Sequence, residues 1–526
     1  MLNQTLEKHK QTIRCAALIA LSLLVCLYTV YEFVVLWTAS QISTAVVMLV
    51  AAACLLAVAY ISALQFLSFR KKFRLEQVFV FSMAVLGVGY MLFFRPIAVP
   101  DEQAHYISAY RLSNYFLFHW GQLHTDGVIM RTADSAFYDT YRSSGIMSPA
   151  DFAQLARDFA LFTKDTALVS DNAWSTAIVN APFGYLASAL GIAVGRLLHL
   201  GAVPVFYCGR MCNIAAYILL VYRAIKRAPM WKGVFFTISM FPMTLHLVAS
   251  YSYDGIVLAL ACLFTAEILH LIYGESITRR QLICCAVLGV LLAPNKLVYT
   301  PLVFLVLLIP RKKLGQVCRR PNLVKAGMIG AAVIGLISFQ LIHVLEISGV
   351  SGGENLVAWA DAPGYTVGWV LQNPLQTVIL FLTTLVKQGE WYLDTLMGSS
   401  LGWFQLDVPA YFYLPFGLCF LIACMKKNED GEPLPFLAKI WTLLLIVGSA
   451  ALVLASMLLS WTPLGLNYIA GVQGRYFLPL LPAAAMVLRN GSIRVNAGME
   501  RHMAAITGTL NVFILCCCTM ELFGIV

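Results

Sequence analysis

The chain has 526 residues, 60% of them hydrophobic and only 12% charged, with a formal net charge of +10. A soluble protein carries about 25% charged residues, and the mean hydropathy of +0.78 excludes that class; hydrocarbon enforces such a depletion, since a charge at the bilayer centre costs roughly 3 kcal/mol. The positive balance is no nucleic-acid footprint, because Lys and Arg stand in short clusters between apolar runs.

In chain order the apolar runs fall near 14–37, 42–67, 77–94, 203–222, 231–249, 255–273, 281–294, 297–309, 323–345, 408–425, 436–460, 476–488 and 502–525. A helix needs about 20 residues to cross a bilayer. The first run is longer than the apolar core of a signal peptide and is expected to stay as a span. Basic clusters separate the runs: Lys8/Lys10/Arg14, Arg70/Lys71/Lys72/Arg74, Arg223/Lys226/Arg227/Lys232, Arg279/Arg280, Arg311/Lys312/Lys313/Arg319/Arg320, Lys426/Lys427 and Arg489/Arg494. Such clusters stay cytoplasmic. Two further apolar stretches, 180–198 and 374–389, break the alternation if either is counted alone. Read as juxtamembrane or re-entrant helices on the outer face, they leave about 13 crossings, with the N-terminus inside and the C-terminus outside. The predicted fold class is an all-α polytopic membrane protein. It divides into an N-terminal transmembrane hairpin (1–75) and a membrane domain (76–526).

This topology places 95–202, 346–407 and 461–475 outside. The first of these carries nine acidic residues and none of the 14 cysteines. Disulfides cannot hold it, so other contacts must. The cysteines sit in or beside apolar runs, except Cys318 in a basic loop, and none has zinc-type spacing.

Four polar motifs interrupt the apolar pattern. Pro100-Asp101-Glu102-Gln103-Ala104-His105 follows the third run. Asp101 can cap a new helix reaching about Phe118, and it shares a face with His105 four residues on. Two carboxylates and an imidazole there suit a general base, a metal site, or a plain cap. Tyr251-Ser252-Tyr253-Asp254 again sets an acid before an apolar helix. Pro294-Asn295-Lys296 separates two short runs, each about 20 Å of helix against a core of about 30 Å. Lys296 therefore needs an anionic partner or a wet cavity, unless it snorkels outward. Gln473-Gly474-Arg475-Tyr476 opens another short run, which draws Arg475 or Arg489 inward or thins the bilayer. Gly474 permits a close backbone approach. Arg475, and Arg210 in the fourth run, suit a bidentate phosphate contact; for Arg210 the alternative is an intramembrane salt bridge.

Pro-Asp-Glu-x-x-His at 100–105 and Val472-Gln473-Gly474-Arg475-Tyr476-Phe477-Leu478-Pro479 resemble the family called domain of unknown function 2142. Tyr253-Asp254 and Lys296-Leu297-Val298-Tyr299 extend the resemblance, which covers roughly 75–525. That family is grouped with the GT-C superfamily of polyprenyl-phosphate-sugar glycosyltransferases. The resemblance implies a first external loop opening on the acidic pair Asp101-Glu102. A second juxtamembrane helix would start at Pro182-Phe183-Gly184-Tyr185, and Arg210 would be the outer arginine of the next span. Where that group often has a lysine before this helix, the chain reads Asn180-Ala181-Pro182.

The chemistry so implied is sugar transfer, with inversion, from a polyprenyl-phosphate carrier to a cell-envelope glycan or lipid. The site would face outward across a bacterial plasma membrane. Asp101 would be the general base, with Glu102 and His105 beside it. Glu102, His105 and Asp254 would hold a divalent metal ion or orient the acceptor. Arg210, Lys296 and Arg475, with Tyr476 and Asp254, would bind the donor and neutralise its phosphate. A polysaccharide polymerase or ligase shares the lipid-linked donor. A flippase would place charges through the midplane on paired repeats, and the chain shows neither.

Overall fold

The computed structural model describes residues 2–70, 72–119, 128–142, 146–171, 182–347, 356–427, 433–489, 493–496 and 498–525. Every apolar run named above is helical, and the protein is an all-α polytopic membrane protein. Among the described residues, 8 helices are long and apolar enough to cross a membrane: Gln11–Thr38, Thr44–Phe69, Leu75–Phe93, Ala202–Arg227, Asp254–Tyr273, Pro321–Phe339, Phe436–Trp461 and Met499–Leu522. Asp254–Tyr273 is buried almost throughout and forms the axis of the bundle. The first two helices are exposed along most of their length and lie at its edge.

The remaining runs are shorter for identifiable reasons. Pro242 splits the fifth into Lys232–Ser239 and Pro242–Val248, and it sits where a proline opens a helix. Leu297–Leu308 and Gly474–Leu480 carry internal prolines and wind as 3₁₀ helix. At about 2 Å rise per residue, the 3₁₀ form stretches each short run further than an α-helix would. The expected outer-face stretches are both helical: Leu186–Leu197, preceded by a 3₁₀ turn at Pro182–Gly184, and the longer Pro374–Met397. Residues Asn180 and Ala181 lie outside the described residues.

The two ends of the bundle are chemically sorted. At one end Lys426–Lys427 pairs in parallel with Arg494–Val495, Lys232 bridges to Glu76 at 3.2 Å, and Lys313 donates to the carbonyls of Ile272 and Gly274 at the close of the axial helix. At the other end lies a layer built from the described residues of 95–202 and from 356–407. Arginines hold it. Arg95 donates to the carbonyls of Pro96, Tyr141 and Ile146 and meets Asp151 at 2.8 Å. Arg131 grips Asp134 with both arms of its fork, and Tyr110 donates to the same carboxylate at 2.6 Å. Arg196 donates to Ser113 and Asn114. These buried, charge-assisted contacts hold the cysteine-free layer in place of disulfides.

Candidate active site

The third span ends at Phe93 and the chain turns sharply through Pro100. Asp101 adopts a left-handed backbone, with φ 65°, and the helix Glu102–Phe116 begins one residue later. Asp tolerates this region better than most side chains, yet it is a strained conformation. The turn sends the two adjacent carboxylates different ways. Asp101 stands at the cap position without a capping bond. Its carboxylate instead accepts from Arg475 Nη2 at 2.5 Å.

Arg475 is drawn into this place by its neighbours. The site of a Cβ on Gly474 lies 2.2 Å from the Tyr392 carbonyl oxygen, so only glycine lets this backbone lie against the helix Pro374–Met397. Arg475 is 3% exposed, and its fork also reaches the Pro100 carbonyl at 3.3 Å. Its Nε stands 3.9 Å from Asp254. Asp254, the first residue of the axial helix, meets Lys296 Nζ at 2.9 Å. Lys296 is caged by the rings of Tyr476, Tyr253 and Tyr299, the first with its centroid 4.3 Å away. Such faces favour a cation in a low-dielectric site. His105 closes the cluster: Nδ1 lies 2.9 Å from the Tyr185 hydroxyl, and the ring packs edge-on against Tyr253.

His105 and Asp101 both titrate away from their ordinary values. Burial lowers the His105 pKa most, and the carboxylates of Asp101 and Asp254 only partly restore it, leaving it at about 4; the imidazole is neutral at pH 7. For Asp101, desolvation pushes the carboxyl up, but Arg475 and His105 together pull it below its ordinary value. It is ionised at neutral pH.

The family profile described as "Predicted membrane protein (DUF2142)" matches residues 84–484. The chain belongs to this family. No curated protein and no solved structure matches it. The match takes in every residue of the cluster and leaves out the whole of the first two helices and of the last one.

In this DUF2142 protein the sequence-chosen residues fall into two groups. Asp101, His105, Asp254, Lys296, Arg475 and Tyr476 meet in one cluster. Glu102 and Arg210 meet each other, both wholly buried, with Nε–Oε1 at 2.9 Å and Nη2–Oε2 at 2.6 Å. Arg210 spends its other N–H groups on the carbonyls of Met91, Phe94 and Arg95, and Glu102 accepts a further bond from the Tyr251 amide. All the donors of the guanidinium are satisfied by protein. The expected phosphate contact at Arg210 is therefore corrected to its alternative, an intramembrane ion pair that fixes packing. The metal set Glu102, His105 and Asp254 does not form either. Glu102 is committed to Arg210 and Asp254 to Lys296, and the cations Lys296 and Arg475 stand beside the carboxylates that a divalent ion would need. The donors present do not fit that ion.

Two recesses adjoin the DUF2142 cluster, one near Asp254 through Ile256 and one lined by Arg475 itself. On one side Phe183, Leu186, Ala187, Leu219, Ile256 and Leu260 line an apolar groove of about 300 Å³. On the other, Pro100, His246, Gly402, Gln473 and Arg475 line a narrow crevice. Buried atoms there, Arg475 Nε, His246 Nδ1 and Gln473 Oε1, have no hydrogen-bond partner among the described residues. The sequence motifs include Tyr185 and Tyr253 but gave neither a role in the site, and His246 was passed over. The signal for His246 was present, since an ionisable residue inside an apolar run marks function by default.

Proposed function

We propose that this DUF2142 protein is a GT-C-type glycosyltransferase. It moves a sugar, with inversion, from a polyprenyl-phosphate carrier to an envelope glycan or lipid on the outer face of a bacterial plasma membrane. One observation carries the reading: the ionised carboxylate of Asp101, the buried Arg475 and the partly buried Lys296 gather with Asp254 in one cluster, and Ile256, two residues after Asp254, lines an apolar groove. A lipid phosphate has this same division, an anion on a hydrocarbon tail. The tail lies in the groove, and the phosphate meets Arg475 and Lys296.

In the reaction the acceptor hydroxyl oxygen attacks the anomeric carbon from the face opposite the phosphate. The new C–O bond forms as the bond to the phosphate oxygen breaks, and the proton passes to Asp101. The carrier phosphate departs with the electron pair. Arg475 stabilises it through two parallel hydrogen bonds and Lys296 as a point charge. The tyrosine cage and Asp254 position Lys296. His105, neutral, supports the wall with Tyr185.

The test is purified protein assayed against a panel of polyprenyl-phosphate sugars with envelope-type acceptors, beside Asp101→Asn. Single-sugar transfer by wild type, absent in the variant, supports the reading. Absence of transfer from every donor would overturn it, and a ladder of long products would move the protein to the polymerases.

A further inference from the structure

Three cysteines far from the cluster meet inside the bundle. Cys26 belongs to the first helix, Cys54 to the second and Cys516 to the last. All are buried, and their sulfur atoms lie within 4.8 Å of one another. Among the described residues this is the one group of three potential metal-ligating side chains so close together. All three lie outside the region 84–484 that carries the family likeness.

The convergence follows from helix geometry. The first helix buries a narrow stripe, Ser22, Cys26, Thr29 and Phe33, at the spacing of one helical face. Its hydroxyls are spent locally, Ser22 on the Leu18 carbonyl and Thr29 on that of Val25. That leaves sulfur as the available donor at this level of the stripe. A single buried thiol packs as a small hydrophobe; three turned to a common point form a soft donor set.

We infer that Cys26, Cys54 and Cys516 form an intramembrane site for a soft monovalent ion, Cu(I). Soft sulfur ligands select Cu(I) over hard cations. With metal–sulfur bonds of about 2.3 Å, three sulfurs around one ion stand about 4 Å apart. The observed spacing closes to that through small side-chain rotations. Charge decides between ions. Cu(I) displaces one thiol proton, which leaves to solvent, and a copper–thiolate bond forms; the other two sulfurs donate as neutral thiols. The filled site is then electrically neutral, as the hydrocarbon demands. A divalent ion needs a second deprotonation for neutrality and, for zinc, a fourth ligand. The bound ion ties the N-terminal hairpin to the C-terminal helix.

The test is an anaerobic Cu(I) titration of the reduced full-length protein in detergent, against bicinchoninate as competitor. Wild type retains one equivalent that Cys26→Ser/Cys54→Ser/Cys516→Ser loses, while the control Cys262→Ser/Cys285→Ser/Cys419→Ser keeps it. X-ray absorption on copper-loaded wild type shows an all-sulfur first shell, and this reading stands even if the variant fails to fold. Equal retention by wild type and the first variant, a nitrogen or oxygen shell, or preferential retention of Zn(II) overturns the assignment.

Discussion

Arg475 reaches across 374 residues of sequence to place Nη2 2.5 Å from the Asp101 carboxylate. The same guanidinium keeps a buried Nε without a hydrogen bond, 3.9 Å from Asp254. In the proposed reaction this pair is a resting state. A donor phosphate arriving at Arg475 competes for the fork with Asp101, and the released carboxylate regains proton affinity as the acceptor hydroxyl comes beside it.

Asp101→Asn tests the base directly. The side chain makes no capping bond, and Asn tolerates the left-handed backbone that Asp101 adopts. The variant is expected to fold and insert as wild type while losing turnover by about a hundred-fold or more, the scale of a missing general base. Turnover per folded molecule decides, and near-wild-type activity would remove Asp101 from the mechanism.

Arg475→Lys separates a phosphate ligand from an interfacial anchor. Lysine keeps the charge but loses the fork. Activity is expected to drop with a raised KM for donor, at unchanged folded yield. An unchanged donor dependence in a folded variant would leave Arg475 an anchor and shift the phosphate to Lys296.

Glu102 and Arg210 are expected to govern stability instead. Arg210→Met strands a carboxylate in a wholly buried site, which costs about 3–5 kcal/mol, so folded yield and melting temperature should fall sharply. Glu102→Gln keeps an acceptor for the guanidinium and is milder. Its folded fraction should turn over at close to the wild-type rate per molecule. A folded but inactive Glu102→Gln would make Glu102 the base.

His105 gives a pH signature. Above its ordinary value of 6.5 the imidazole is neutral whether the chain is folded or not, so it contributes no pH dependence. As pH falls from 6.5 to about 4, the unfolded chain takes a proton that the folded protein refuses, and stability declines. Below that window the Asp101 carboxylate, held low by Arg475, adds a further loss as it protonates. Melting curves in detergent should show the first decline in wild type and a flatter profile in His105→Gln. Identical slopes would place the histidine outside this balance.

Much of this was legible in the sequence, because hydrocarbon makes charges expensive. Asp101, Asp254, Lys296 and Arg475 each interrupt or flank an apolar run, and the structure brings all of them together. The apolar runs were legible for the same reason, and each one is helical. What the sequence hid depends on backbone turns and long-range encounters. Asp101 and Glu102 are neighbours in one motif, and only the left-handed turn at Asp101 decides that one faces Arg475 and the other Arg210. The expected metal set failed on that turn. Cys26, Cys54 and Cys516 have no sequence spacing to read, since three separate helices bring them together.

Orientation remains the premise of an outward-facing site, and the sorted ends of the bundle make it testable. Asp139 lies on the arginine-held layer, half exposed beside Arg142. The basic loop at 311–320 lies at the opposite end. Within it Lys313 is a poor probe position, because it donates to the carbonyls of Ile272 and Gly274 that end the axial helix. Lys312 is exposed and is the better choice. Positive-inside alternation puts Lys312 in the cytoplasm and Asp139 outside. Cysteines placed at each, in a background without accessible native thiols, should differ in intact cells. An impermeant maleimide should label Asp139→Cys and spare Lys312→Cys until the membrane is opened. The reverse pattern would turn the whole bundle over and put the Asp101 cluster on the cytoplasmic side, where an outer-face acceptor could not reach it.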